Sequence, residues 1–153
     1  MAVKKDIIPI ILELKDTSLS QAGVADWTDF SLIVKGGEMV TLSGWTRENR
    51  QALMAVIWGV LPLDKGFVSI DGECITALSG PYLRRSMAYL PLEVRWADEE
   101  MNVIPFAEQR KRLMKEIVSR QPRLLLIENP SEEERQACSE LMGKGTAVIA
   151  FVE

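Results

Sequence analysis

The chain has 153 residues, a formal net charge of -4 and no histidine. Its 47% apolar and 26% charged content are those of a globular protein with a real core, since about 150 residues bury roughly 68–70% of their extended surface. The acidic balance speaks against a general nucleic-acid binder, and Cys74 and Cys138, alone and without C-x-x-C spacing, speak against metal and redox centres.

In chain order, Ile7 to Leu14 and Ser31 to Lys35 alternate apolar and polar residues as half-exposed strands do. Lys4 and Lys5 precede the first strand, but without a cleavage region the segment reads as a strand rather than an export signal, which predicts a cytoplasmic protein. Met39 to Leu42 is a dense apolar run suited to a buried parallel strand. A helix is predicted over Arg47 to Trp58, with Leu53, Met54, Val56 and Ile57 on its apolar face and Gly59 as its stop. The apolar run Leu53 to Leu63 is broken by Gly59 and Pro62 and falls short of the ~20 residues a bilayer requires. Phe67 to Ile70 alternates again, and with the first two strands predicts a small antiparallel layer. Met87 to Leu90, Leu124 to Ile127 and Ala147 to Val152 repeat the buried parallel pattern, with helices over Ala107 to Arg120 and Ser131 to Met142 between them. Glu132, Glu133 and Glu134 sit where negative charge favours the helix macrodipole and need no metal. With no repeat or linker, residues 1–153 read as a single domain.

The stretch M-V-T-L-S-G-W-T-R-E-N-R-Q-A-L, Met39 to Leu53, has the frame of the phosphate-binding loop G-x-x-x-x-G-K-[ST]. Gly44 stands at the first glycine, whereas Asn49, Arg50 and Gln51 occupy the places of glycine, lysine and hydroxyl. In the intact loop backbone N–H groups surround the phosphates, the lysine reaches the β/γ oxygens and the hydroxyl ligates magnesium. Asn49 tolerates left-handed backbone, so the loop is expected to keep its shape. Arg50 keeps the charge on a bulkier planar fork, Gln51 offers a neutral amide to the metal, and Glu48 adds a repelling carboxylate.

Five further segments carry a resemblance. G-V-L-P-L-D-K-G-F-V-S-I-D-G from Gly59, Y-L-R-R-S-M-A-Y-L-P from Tyr82 and P-R-L-L-L-I-E-N-P from Pro122 follow the loop; L-E-L-K-D-T-S from Leu12 and F-S-L-I-V-K-G-G-E from Phe30 precede it. In this order they resemble the nucleotide-binding domain of ATP-binding cassette (ABC) transporters, from Leu12 onward. The resemblance implies an α/β, P-loop NTPase-like three-layer core with a mainly parallel sheet, a small antiparallel β layer and a helical subdomain largely lost. The acidic link E-V-R-W-A-D-E-E-M-N after Leu92 stands where that subdomain would be.

Carried over residue by residue, the family's Walker B aspartate corresponds to Glu128, its catalytic glutamate to Asn129 and its Q-loop glutamine to Leu92. An amide takes no proton, and losing a general base removes about 10²–10⁴ in rate. The adenine-stacking aromatic would fall near Gln21, with Trp27 the only nearby ring, and the switch histidine would follow Val152, where Glu153 stands. The signature L-S-G-G-Q corresponds to Ile104 to Arg112, without its glycines, with Glu108 or Gln109 at the last position. Arg84, Arg85, Arg110, Lys111 and Arg112 read mainly as solvated helix charge. Trp45 and Trp96 read as contact residues or as half-buried packing.

No catalytic residue and no metal ligand are expected, and the residues left for weak nucleotide contact are Gly44, Asn49, Arg50, Gln51, Glu128 and Asn129. The resulting expectation is a non-catalytic pseudo-ATPase that binds a protein partner: an ABC subunit, a membrane permease or a second copy. No cofactor is then expected. Two alternatives stay open, a weak ATP/ADP–magnesium binder with very slow hydrolysis and a structural interaction module. Binding of nucleic acid and direct insertion into the membrane are not expected, though a peripheral position at its inner face is compatible with each reading.

Overall fold

The computed structural model describes residues 8–21, 25–92 and 106–153. A four-stranded antiparallel sheet has the order β2-β1-β4-β5, built from β1 (Ile10–Gln21), β2 (Ala25–Lys35), β4 (Lys65–Ile70) and β5 (Glu73–Cys74). A four-stranded parallel sheet has the order β3-β8-β7-β6, built from β3 (Met39–Ser43), β6 (Met87–Leu90), β7 (Leu124–Glu128) and β8 (Ala147–Val152). The described helices are α1 (Arg47–Ile57), α2 (Gly80–Leu83), α3 (Phe106–Arg120) and α4 (Glu132–Gly143), with a 3₁₀ turn over Arg84–Ser86.

Period-2 alternation in the parallel strands builds the layers. Leu124 and Leu126 of β7 face one core with Leu53, Val56 and Ile57 of α1 and Leu12, Leu14, Val68 and Ile70 of the antiparallel sheet. Leu125 and Ile127 face the other core, with Met114 and Ile117 of α3 and Cys138 and Leu141 of α4. Helix α1 therefore lies between the two sheets, while α3 and α4 cover the opposite face of the parallel sheet. This is the expected three-layer α/β core with an antiparallel layer and a reduced helical part.

Several predicted bounds need correction. The predicted strands over 7–14 and 31–35 are parts of one long hairpin, Ile10–Gln21 against Ala25–Lys35, and Ile7 lies outside the described residues. The hairpin continues through the turn-like D-T-S-L-S because Asp16 and Asp29 adopt left-handed backbone (φ 51° each) and absorb register shifts. Strand β3, expected to be buried, is a half-exposed edge strand: Thr41 and Ser43 are exposed and β8 is its neighbour on one side. Helix α2 and strand β5 were not anticipated. Gly59, by contrast, takes φ 79° just after the C-cap Trp58 and ends α1 as expected.

Candidate functional site

The carboxyl ends of the parallel strands gather the sequence-selected residues, the usual place for a ligand in an open parallel sheet. Ser43 aligns with Val152, and Glu128 with Phe151. Gly44, Trp45 and Thr46 alone join β3 to α1. Gly44 has φ 77° with open space where a Cβ would stand. Thr46 is the N-cap, its Oγ1 accepting from the Asn49 amide at 3.1 Å. Asn49 therefore lies in the first helical turn with no left-handed φ, and the expectation that the loop keeps its shape is not met. A hydroxyl three residues upstream starts the helix early. The Asn49 side chain instead accepts from Asp26 N at 2.9 Å and donates to Asp26 O at 3.0 Å, tying α1 to β2.

Arg50 turns inward from α1 and is 8% exposed. Its Nη2 lies 3.9 Å from Glu153 Oε1, and its Nε is buried without a hydrogen-bond partner. It lines a cavity of about 640 Å³ together with Arg47, Gln51, Tyr89, Pro91, Leu92, Glu128 and Glu153. Both Glu128 carboxylate oxygens are engaged: Tyr89 Oη donates to Oε1 at 2.7 Å and the Leu92 amide to Oε2 at 3.0 Å. Burial, reinforced by the Glu128 hydrogen bond and charge, pushes the Tyr89 hydroxyl well above its ordinary pKa, so it stays a neutral donor. Asn129 has left-handed backbone (φ 42°), donates from its amide to Phe151 O at 2.7 Å and accepts at Oδ1 from Glu153 N at 3.2 Å. Its side chain thus joins the ends of β7 and β8.

Arg110 departs most from its sequence reading as solvated charge. It is 7% exposed and forms a two-pronged pair with Glu134, Nε to Oε2 at 3.0 Å and Nη2 to Oε1 at 2.9 Å. It also donates to Pro91 O at 2.8 Å and Glu128 O at 3.0 Å, so one guanidinium ties the ends of β6 and β7 to the start of α4. Burial alone would raise the Glu134 carboxyl, but hydrogen bonds from Arg110 and the Ser131 amide outweigh it and hold its pKa below the ordinary value. Ser131 and Glu134 close a reciprocal capping box, legible as S-x-x-E; nothing local marks Arg110. The other members of the basic group scatter: Arg84 donates to Trp58 O at 2.9 Å and Arg112 pairs with Glu108 on the surface. Trp45 is half-buried, edge-on to Phe30 at 4.9 Å and 5.8 Å from Trp27. Trp27 donates to Thr17 Oγ1 at 3.2 Å. Of the signature-like segment, Glu108 and Gln109 lie on α3, exposed and buried respectively; residues 104 and 105, like Trp96, lie outside the described residues. Among the described residues no cluster of carboxylates and thiols could hold a metal ion, and no helix is long and apolar enough to cross a membrane.

No protein-family model matches the chain. It is 36% identical over 93 residues to the ribose import ATP-binding protein RbsA of Rhodococcus jostii (strain RHA1), a stretch covering 60% of this chain and 18% of that protein. Among solved structures, an ATP binding subunit of an ABC transporter superposes with a TM-score of 0.74 at 18% identity, over 94% of this chain and 79% of that one. cbiO1 from Clostridium perfringens, part of the ABC transporter complex cbiONQ, gives 0.71 at 11% identity over 94% and 78%. A bacterial Atm1-family ABC exporter with ATP bound gives 0.67 at 10% identity over 97% and 36%. The chain is thus similar in sequence, over those 93 residues, to an ABC import ATP-binding protein of which it spans under a fifth, and it shares the fold of ABC transporter ATP-binding subunits.

Proposed function

We propose that this chain is a non-catalytic, pseudo-ATPase form of the ABC ATP-binding domain that works by binding a protein partner, in a transporter complex at the cytoplasmic face of a membrane. The observation that supports this reading best is the internal satisfaction of Glu128, whose two oxygens are taken by Tyr89 and the Leu92 amide. The residues present fit magnesium–triphosphate poorly. Helix α1, capped at Thr46, begins two residues before the place of the second loop glycine. Two N–H groups at the place of the phosphate nest are thereby engaged within the chain, Asn49 N by Thr46 Oγ1 and Arg50 N by Thr46 O. Asn129, at the place of the catalytic base, spends its oxygen on Glu153 N.

A second reading, weak nucleotide binding, is favoured by the buried, unpartnered Nε of Arg50 beside the roughly 640 Å³ cavity. Thermal melts with magnesium-ATP or ADP separate the two. A ligand at 100 times its Kd adds about 2.7 kcal/mol, or about 5–11 °C for a chain of this size. The pseudo-ATPase reading expects no shift at millimolar nucleotide. It also expects none in the N49G/R50K/Q51S/N129E variant, because side chains alone do not lengthen the loop. A nucleotide-dependent shift in the unaltered protein would establish the weak-binding reading instead.

A further inference from the structure

Arg110 and the Glu128 carboxylate act on one planar group. The carbonyl of Pro91 and the amide of Leu92 belong to the same peptide plane. Arg110 Nη1 donates to that carbonyl at 2.8 Å, and that amide donates to Glu128 Oε2 at 3.0 Å. A cation and an anion thus hold opposite edges of the plane, so each bond polarises the group in favour of the other.

On its other side the guanidinium is seated on Glu134, with Nε on Oε2 and Nη2 on Oε1. Nη2 also reaches Glu128 O at 3.0 Å and Nη1 reaches Leu92 O at 3.5 Å, so all five N–H groups of the fork face acceptors. The fork has no spare donor, and its seat on Glu134 fixes where the Pro91 carbonyl is held. Arg110 and Glu134 line a groove of about 610 Å³ between α3 and α4, whereas Pro91, Leu92 and Glu128 line the cavity of about 640 Å³ at the carboxyl end of the sheet. The series Glu134, Arg110, peptide plane, Glu128 therefore runs without a gap from one hollow to the other. The plane also has a second position open to it. Proline fixes its own φ, but ψ of Pro91 and φ of Leu92 together turn the rigid peptide as a unit and can point its amide away from Glu128.

We propose that the Pro91–Leu92 peptide is a two-position relay between Glu134 on α4 and Glu128 in the cavity. With Glu134 charged and seated on Arg110, the plane is held with its amide on Glu128, and both Glu128 oxygens are taken. Loss of that seat, as when a cation in the α3–α4 groove competes for Glu134, loosens Arg110, lets the plane turn and opens Glu128 Oε2 to an occupant of the cavity. The relay runs in both directions, because a coupling free energy between two sites is reciprocal. The proposal goes beyond the pseudo-ATPase reading and does not rest on it, because no nucleotide takes part.

Hydrogen exchange followed by nuclear magnetic resonance on the full chain, without nucleotide, tests it. Glu134→Gln keeps an acceptor for the Ser131 amide and the capping box but removes the charge that seats Arg110. The reference is the Asn129 amide, which is bonded to Phe151 O at the neighbouring strand end and lies outside the series. The Leu92 amide is expected to accelerate about fivefold more than that reference, as its bond loses charge assistance and opens locally. In the reverse direction, Glu128→Gln is expected to accelerate the Arg110 Nε–H by a similar excess. Leu92 and Asn129 changing by the same factor in Glu134→Gln overturns the proposal, since lost global stability alone would do that. An Arg110 Nε–H indifferent to Glu128→Gln overturns it as well. Should Glu134→Gln fail to fold, Arg110→Lys, which keeps the charge without the fork, takes its place with the same excess expected at Leu92. Nucleotide binding found in the melts would leave this relay standing, and an unresponsive Leu92 amide would leave the pseudo-ATPase reading standing.

Discussion

Replacing Arg110 by methionine keeps the length and apolar stem of the side chain but removes its guanidinium. The Glu134 carboxylate then loses two hydrogen bonds of 2.9–3.0 Å, and the carbonyls of Pro91 and Glu128 lose one donor each. The pair is largely sheltered, with side-chain exposures of 9% and 14%. Removing one partner of such a pair typically costs about 3–5 kcal/mol, because the remaining charge stays buried. For a chain of this size that corresponds to a fall in Tm of about 6–20 °C. Urea unfolding followed by circular dichroism measures it directly, and Glu134→Gln with the double variant completes a cycle expected to show coupling of about 1–3 kcal/mol.

The loss also has a pH signature. The folded pKa of Glu134 lies below its unfolded value, so its contribution is complete above the unfolded pKa and vanishes as pH falls through the folded one. The gap between wild type and Arg110→Met should therefore be widest near neutrality and narrow on acidification. A loss under about 1 kcal/mol, or a gap independent of pH, would refute the role assigned to this guanidinium.

Thr46→Ala removes the α1 N-cap and should cost about 1 kcal/mol, a fall in Tm of about 2–4 °C; an unchanged melt would count against the early helix start. Gly44 and Gly66 share nearly the same left-handed φ but not the same surroundings. A Cβ at Gly44 meets nothing within 4 Å, whereas at Gly66 it would press into Lys15 O and stand 2.5 Å from Asp16 O. Gly44→Ala should thus cost only about 1–2 kcal/mol of backbone strain, and Gly66→Ala more than about 3 kcal/mol; equal costs would contradict the packing described. Burial, then the charge of Glu134, pushes the Cys138 thiol up to about 11, while Cys74 is exposed. Iodoacetamide near pH 8 should label Cys74 quickly and Cys138 only on unfolding, as read by peptide mass spectrometry.

The parallel core was legible in the sequence because runs such as L-L-L-I and A-V-I-A-F-V are apolar on both faces, and only a strand covered from both sides needs that. β8 spans Ala147–Val152, the run its pattern predicts, and β7 extends one residue further, to Glu128. The hairpin was hidden because its bulges fall at Asp16 and Asp29, and aspartate in left-handed backbone looks locally like a turn that ends a strand. Edge position is a property of strand order, which no local pattern carries, so the dense apolar look of Met39 to Leu42 misled about burial.

The site divides the same way. Gly44, Arg50, Glu128 and Asn129 were placed by their offsets from strand ends, and the fold brings them to the carboxyl end of the parallel sheet. What those side chains do depends on partners distant in sequence, such as Tyr89 for Glu128 and Glu153 for Arg50. Leu92, read only for its side chain, contributes through its backbone amide. Asn49 was judged by the conformation an intact loop would demand, whereas the hydroxyl at Thr46 had already set a different one.

The central claim is that this fold has kept the architecture of an ATP-binding domain without its nucleotide chemistry. Isothermal titration of magnesium-ATP into the purified chain, with phosphate release followed in the same samples, tests that claim most directly. The account predicts no saturable heat up to about millimolar nucleotide, a binding free energy weaker than about 4 kcal/mol, and no release above the protein-free blank. Saturable binding tighter than millimolar, or turnover abolished by Glu128→Gln, would contradict it.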